Sequence, residues 1–235
     1  MYSFTKRFFY MKAFSKLPEE FQNEKVRVYY DILSKKTGSL ILKRVTDVLI
    51  SLVLLFFLII PIIILSVVVK LDSKGPVFFK QERVTTYGKR FKILKFRTMV
   101  TDAEKLGAFV TTCDDNRVTG VGKTLRKYRF DELPQIFNVL SGNMSLVGTR
   151  PEVSEYVERY KPEYYATLLI PAGITSPASL MYKDEQKLLE SQENADEVYL
   201  NTILPEKMKY NLQYTKEFGF RSDIKIMFKT VKDVL

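Results

Sequence analysis

Between residues 48 and 69 the chain reads VLISLVLLFFLIIPIIILSVVV, without a charged position, and on both sides polar and apolar residues mix again within a few positions. At ~1.5 Å of rise per residue a helix of this length measures about 33 Å, close to the ~30 Å hydrocarbon thickness of a bilayer. Buried helices of soluble proteins rarely stay uncharged for so long, so the pattern predicts a membrane-embedded helix. About forty residues precede the run, which is not the placement of a cleavable secretory signal. Two dispositions fit. Lys35, Lys36, Lys43 and Arg44 lie before the run and Lys70, Lys74, Lys80, Arg83, Lys89 and Arg90 after it, so the positive-inside tendency favours both ends on the cytoplasmic side. Pro61 supplies a break that would let the segment turn back, giving a re-entrant hairpin. The alternative is a kinked helix that still spans.

Beyond Gly75-Pro76 the period changes. VFFKQERV and RFKILKFRTM are rich in β-branched and aromatic residues and flank TTYGK, which predicts two short strands joined by a turn at Gly88. TDAEKLG reads as a capped helical turn, residues 111–120 as a polar loop and GKTLRKY as a basic helix. Leu133, Ile136, Phe137 and Leu140 follow the spacing of one buried helical stripe that Gly142 ends, with Asp131 as cap and Pro134 in the first turn. At the C-terminal end, SDIKIMFKTVKDVL predicts a helix capped by its serine, with Ile224, Phe228, Val231 and Leu235 on one face and Lys225, Lys229 and Lys232 elsewhere. That face suits either the core or a membrane surface. The fold class is mixed α/β, helix-rich with a short β-hairpin. Three segments follow: an N-terminal extension without an assigned role (1–40), a membrane segment (41–71) and a folded domain (72–235).

Charge and composition narrow the chemistry. With 37 Lys and Arg against 27 Asp and Glu, the net charge of +10 calls for an anionic partner: nucleic acid, an anionic membrane surface or a phosphorylated substrate. The basic residues flank the membrane run and no nucleic-acid reading module is present, so no nucleic-acid partner is expected. The chain has no His, which removes Ser-His triads, imidazole bases and the usual zinc sites. Cys113 stands alone, so no intrachain disulfide forms. Catalysis must rest on carboxylates, Lys, Arg, Tyr and hydroxyls.

FDELPQIFNVLSGNMSLVGTRP, residues 130–151, holds the densest set of such groups. An Asp and a Glu ahead of a helix are commonly no more than a cap and a dipole partner. Here Lys123, Arg126, Lys127 and Arg129 precede Asp131 and Glu132, and Arg150 follows in a Gly-Thr-Arg-Pro turn. Two acids ringed by cations suit pyrophosphate chemistry with a divalent metal, in which the cations neutralise the charge that repels an anionic nucleophile. GVGKT at 120–124 resembles the end of a P-loop, but the full pattern needs Gly at position 117, which is Arg.

Taken together, KRVTDVLISLVLL, PVFFKQERV, FKILKFRTM, DELPQIFNVLSGNMSLVGTRPE and PAGIT, in this order from about residue 41 onward, resemble the bacterial sugar transferases, the monotopic polyprenyl-phosphate phosphoglycosyl transferases. The resemblance implies transfer of a phosphosugar from a UDP-sugar to undecaprenyl phosphate, with release of UMP and with Mg²⁺, at the start of a bacterial surface glycan. It implies a re-entrant helix broken at Pro61 and a catalytic domain on the cytoplasmic face of the inner membrane, against anionic phospholipid. It assigns Asp131 as the nucleophile of a covalent aspartyl intermediate, Asp131 and Glu132 as metal ligands, and Lys95, Arg126 and Arg150 as phosphate-binding groups.

Two departures stand out. The family's GPRP turn is GTRP here, and the arginine expected after the Gly-Ile-Thr turn is missing from GITSPASLMYKDEQ. Tyr182 and Lys183 are the candidates for the contacts that arginine would make. The sugar, the glycan pathway and the oligomeric state stay open, a homo-oligomer being compatible with the sequence. The competing reading is a catalytically inactive, basic membrane-peripheral scaffold of the same fold, against which the intact Asp131-Glu132 pair and Arg150 argue.

Overall fold

The computed structural model describes residues 11–101, 103, 115–183, 185, 188 and 194–234. Most of the helical turn expected at TDAEKLG and the first part of the loop expected at 111–120 lie outside these residues, as do Phe8, Phe9, Tyr10 and Leu235. The architecture is helix-rich mixed α/β with a short antiparallel hairpin, as the pattern predicts.

Helix α1 (Glu24–Ser34) starts at Asn23, whose side chain accepts from Val26 N at 3.0 Å, and buries Val26 and Leu33. The residues ahead of it add Leu17 and Phe21, and Phe21 meets the ring of Tyr165 edge-on at 5.4 Å. The N-terminal segment, to which the sequence assigns no role, therefore builds part of the main core.

Helix α2 (Thr37–Asp72) holds the apolar run and is one 36-residue element with Pro61 inside it. The proline removes one backbone donor, and the helix carries on through neighbouring turns, as helices in apolar surroundings commonly do. Its backbone is thus not divided into two helices, and any change of direction is a bend within one. One stripe of α2 lies on the rest of the protein along its whole length: Lys43, Asp47, Ser51, Ile62 and Val69 are buried, and Leu55, Leu58 and Leu65 are half-buried between them. Those steps of three and four residues trace a single helix face. The other faces carry bare Leu49, Val53, Phe56, Phe57, Ile60 and Ile64. Leaving six such side chains in water forgoes on the order of 10 kcal/mol of burial energy, comparable with the net stability of a domain. The helix is long and apolar enough for a membrane to cover them.

Both ends of α2 are tied to the same globular body. Near the N-terminal end, Lys43 Nζ donates to Val147 O and Asp223 Oδ2, both at 2.6 Å, and Arg44 donates to Val139 O and Leu140 O. Asp47 Oδ1 accepts from Leu146 N at 3.1 Å. Near the C-terminal end, the Arg97 guanidinium donates to Val69 O and to Ser73 O, while Asp72 Oδ1 accepts from Val121 N at 3.4 Å.

Strands β1 (Phe78–Val84) and β2 (Arg90–Phe96) pair antiparallel with Phe79 opposite Lys95 and Arg83 opposite Phe91. The turn between them uses Tyr87 and Gly88, both at positive φ. The basic helix appears as α3 (Gly120–Lys127), followed by a 3₁₀ turn at Phe130–Glu132 and helix α4 (Gln135–Leu140). Strand β3 (Ser145–Val147) pairs in parallel with β4 (Gly173–Thr175). Between these strands lie helix α5 (Ser154–Val157) and the 3₁₀ segment Pro162–Leu169. Helices α6 (Pro177–Met181), α7 (Ala195–Val198), α8 (Leu204–Glu217) and α9 (Phe220–Val234) complete the described residues. The expected start of α9 at Ser222 is two residues late, and the serine is not its cap. The face expected to carry Phe228 and Val231 points outward, at 73% and 56% exposure, while Asp223 and Ile226 face the core.

Candidate active site

Three junctions bring the motifs together. In the first, Asn138 of α4 clasps β2: its amide donates to Lys92 O and accepts from Leu94 N, both at 2.9 Å. That bond pair sets the next β2 residue, Lys95, against the turn that precedes α4. In the second, Gly148 and Gly173 meet backbone to backbone; a Cβ built on Gly173 would lie 2.0 Å from Gly148 N, so only glycine lets GTRP approach PAGIT. Gly173 N donates to Thr149 O at 3.0 Å, which fixes the loop that carries Arg150. In the third, Gly122 at the start of α3 packs on the Thr98 carbonyl, where a Cβ would come within 2.2 Å. This contact brings Arg126 Nε to Thr98 Oγ1 at 2.8 Å.

Asp131 and Glu132 sit where these junctions converge. Lys95 Nζ donates to Glu132 Oε1 at 3.0 Å, and the Arg150 guanidinium reaches both Glu132 oxygens, NH1 to Oε2 at 3.2 Å and NH2 to Oε1. Burial alone would raise the Glu132 carboxyl, yet the Arg150 and Lys95 charges hold it well below its ordinary range. Glu132 in turn pushes the Arg150 guanidinium up from its ordinary value.

Asp131 is in the opposite condition. It is 8% exposed, and no hydrogen bond to its carboxylate is present among the described residues. Burial pushes its carboxyl up from the ordinary value; Lys95 opposes the rise, and the adjacent Glu132 charge adds to it. Asp131 therefore does not cap the following helix, contrary to the sequence pattern. Its turn is a separate 3₁₀ element entered through Arg129 at φ 59°, and α4 begins after Pro134 without a side-chain cap. A non-glycine residue in the left-handed region costs of order 1 kcal/mol or more, and such residues gather at functional sites. Arg129 here also donates to Lys183 O at 2.9 Å, drawing the segment after β4 toward the dyad.

The structure thus gathers Lys95 and Arg150 directly on Glu132 and sets Arg126 close enough to Asp131 for their charges to interact. Lys183 reaches the site through its backbone carbonyl and not its exposed side chain, while Tyr182 packs edge-on against Tyr210 at 6.4 Å. A buried polar network behind Arg150 is not visible in the sequence. Tyr199 OH donates to Glu152 Oε1 at 2.6 Å, and Lys207 Nζ donates to Tyr199 OH at 2.9 Å and to Glu185 Oε2 at 2.8 Å. Its members come from four separate segments, so no local spacing announces it.

No cluster of three or more metal-binding side chains is present among the described residues. Mg²⁺ usually takes one or two carboxylates, with waters and substrate phosphate filling its other positions. An unbonded Asp131 beside a fixed Glu132 fits that requirement.

Residues 38–235 match the family described as Bacterial sugar transferase, and the chain belongs to that family. It is 38% identical over 173 residues to the UDP-N-acetylgalactosamine-undecaprenyl-phosphate N-acetylgalactosaminephosphotransferase of Aeromonas hydrophila, covering 72% of this chain and 38% of that one. It is 36% identical over 196 residues to the UDP-glucose:undecaprenyl-phosphate glucose-1-phosphate transferase of Escherichia coli (strain K12), covering 81% and 39%. A Caulobacter vibrioides relative of the same name is 34% identical over 197 residues, covering 82% and 69%. The chain spans about two fifths of the length of the first two.

Proposed function

We propose that this chain is an enzyme that transfers a sugar phosphate from a UDP-sugar to undecaprenyl phosphate, releasing UMP. The observation that carries this reading is the asymmetry of the dyad: Glu132 is locked by two cations, while Asp131 beside it is buried and takes no hydrogen bond from the described residues. A buried carboxylate relieved of partners but surrounded by positive charge is a nucleophile suited to an anionic substrate. An Asp131 oxygen attacks the β-phosphorus of the donor, the bond from that phosphorus to the bridging oxygen breaks, and UMP leaves with the electron pair. A phosphate oxygen of the polyprenyl acceptor then attacks the same phosphorus, and the Asp131 carboxylate is released. Lys95, Arg126 and Arg150 offset the phosphate charge, and Glu132 keeps the two cations in place. Mg²⁺ held by Asp131 and Glu132 would supply further charge neutralisation on the pyrophosphate.

The same reading gives the membrane disposition. A helix that crossed a bilayer would carry its two ends to opposite sides, whereas both ends of α2 bind one globular body. The helix then sits in the bilayer by its bare faces, with both of its ends on the side of that body. The basic flanks support the cytoplasmic face of a bacterial inner membrane as that side. Anionic phospholipid suits the net charge of +10.

Incubating the purified protein with Mg²⁺, undecaprenyl phosphate and a panel of UDP-sugars tests the activity. UMP release with at least one donor is expected. No release with any of them, from a protein shown to be folded, would favour a scaffold without turnover.

A further inference from the structure

The buried polar network behind Arg150 reaches the surface at Glu185. Lys207 is enclosed on α8, and its Nζ donates to Tyr199 OH at 2.9 Å and to Glu185 Oε2 at 2.8 Å, with Glu152 Oε1 3.8 Å away. Lys207, Tyr199 and Glu152 are buried, whereas the Glu185 side chain keeps 28% of its area exposed. Its second oxygen, Oε1, takes no hydrogen bond from the described residues. A carboxylate with one oxygen clamped and the other open is a preorganised acceptor, with little rotamer freedom left to lose on binding.

Two tethers set that acceptor beside the dyad. Glu152 shares Lys207 with Glu185 and lies two residues after Arg150, whose guanidinium closes on Glu132. Two residues before Glu185, Lys183 O accepts from Arg129, itself two residues before Asp131. The charges agree with this placement: Glu132 does most to push the Arg150 guanidinium up, and Glu185 and Glu152 add to the rise. A negative group here repels the donor's pyrophosphate, so it suits the uncharged, hydroxyl-bearing part of that molecule. With Asp131 as nucleophile, the phosphorus attacked is the one that carries the sugar, which therefore lies nearer the dyad than the ribose does.

We propose that Glu185, clamped by Lys207, is a specificity-determining residue whose Oε1 accepts a hydrogen bond from a hydroxyl of the donor's sugar. Lys207 is its positioning residue, held in turn by Tyr199. A sugar that lacks the matching hydroxyl leaves a charged oxygen covered and unpaired, and such a mismatch discriminates more strongly than a change of apolar shape. This role rests on the proposed transfer from a UDP-sugar and names the part of the site that selects the sugar.

The test uses the full chain in lipid nanodiscs with Mg²⁺, undecaprenyl phosphate and a UDP-sugar already shown to turn over, beside UDP-sugars that lack or invert single hydroxyls. Glu185→Gln keeps an oxygen for Lys207 but leaves an N–H donor where Oε1 stood, and Glu185→Ala removes the group. Expected in both is a loss of about 10- to 100-fold in kcat/KM for the preferred donor, the effect of one hydrogen bond to a charged group. The analogue altered at the recognised hydroxyl should change little, so that discrimination at that position collapses, and inhibition by UDP should stay within about twofold of the parent. An unchanged preference among the sugars in either variant would overturn the role. So would an equal weakening of UDP and of every donor, which would put the carboxylate on the nucleotide, or failure of both variants to fold, which would make it a support of the resting structure. If the parent protein turns over no UDP-sugar at all, the transferase reading falls and this role with it.

Discussion

Arg150 and Lys95 both close on Glu132, while Asp131, its neighbour in the chain, receives no hydrogen bond from the described residues. The two carboxylates are therefore pushed in opposite directions from their ordinary values. One is held ionised as part of a cation cluster, and the other is kept buried and raised. On the proposed mechanism this geometry divides the labour, with Glu132 organising the cations and Asp131 reacting.

Asp131→Asn should abolish turnover and, in the metal-free protein, raise the melting temperature. A carboxyl whose folded value lies above its unfolded one destabilises the fold wherever it is ionised. The gain should be absent near pH 3, open as pH passes the ordinary Asp value of about 3.9, and be complete above the raised folded value. Thermal melts of both proteins across pH 3–8 check the sign. A loss of stability at neutral pH would contradict the burial argument.

Arg150→Lys should lose most activity although the charge is retained. A guanidinium spans both Glu132 oxygens and an ammonium cannot. Arg150→Ala should in addition destabilise the fold, by on the order of 2 kcal/mol, because Glu132 is left with Lys95 alone. Denaturant titration and initial rates separate the two effects.

Lys43→Met should be destabilising, by about 3–5 kcal/mol, because among the described residues it strands Asp223 in the core with only Tyr214 OH as a side-chain donor. Adding Asp223→Leu should recover much of that loss. A double-mutant cycle on chemical denaturation measures the coupling. Independence of the two sites would mean that the pair does not anchor α2.

Single cysteines at Lys35 and Lys74, in a Cys113→Ser background, should react with an impermeant thiol reagent from the same side of sealed vesicles. Pro61→Ala should leave that result unchanged, since the tethers at both ends of α2 hold it whether or not the helix bends. Labelling from opposite sides would mean that α2 spans.

Much of this was legible in the chain. The apolar run marks α2 because nothing else keeps a segment uncharged for so long, and the alternation of VFFKQERV and RFKILKFRTM marks the hairpin. Even the face of α2 that meets the domain is written there, in the i, i+4 spacing of Lys43, Asp47 and Ser51, although the pull of the run as a whole hides it. The cap assigned to Asp131 failed because periodicity cannot register a left-handed Arg129, which starts a separate turn. The network of Glu152, Glu185, Tyr199 and Lys207 was invisible because its spacing is set by tertiary packing alone.

On the proposed mechanism Asp131 carries the phosphosugar covalently. The most direct measurement is the intact mass of the protein after incubation with Mg²⁺ and a UDP-sugar known to turn over, without lipid acceptor, followed by peptide mapping. Expected are a gain of one phosphosugar on Asp131, UMP release limited to about one equivalent of enzyme, and loss of the adduct when undecaprenyl phosphate is added. An unmodified mass, with UMP appearing only once the lipid is present, would contradict it.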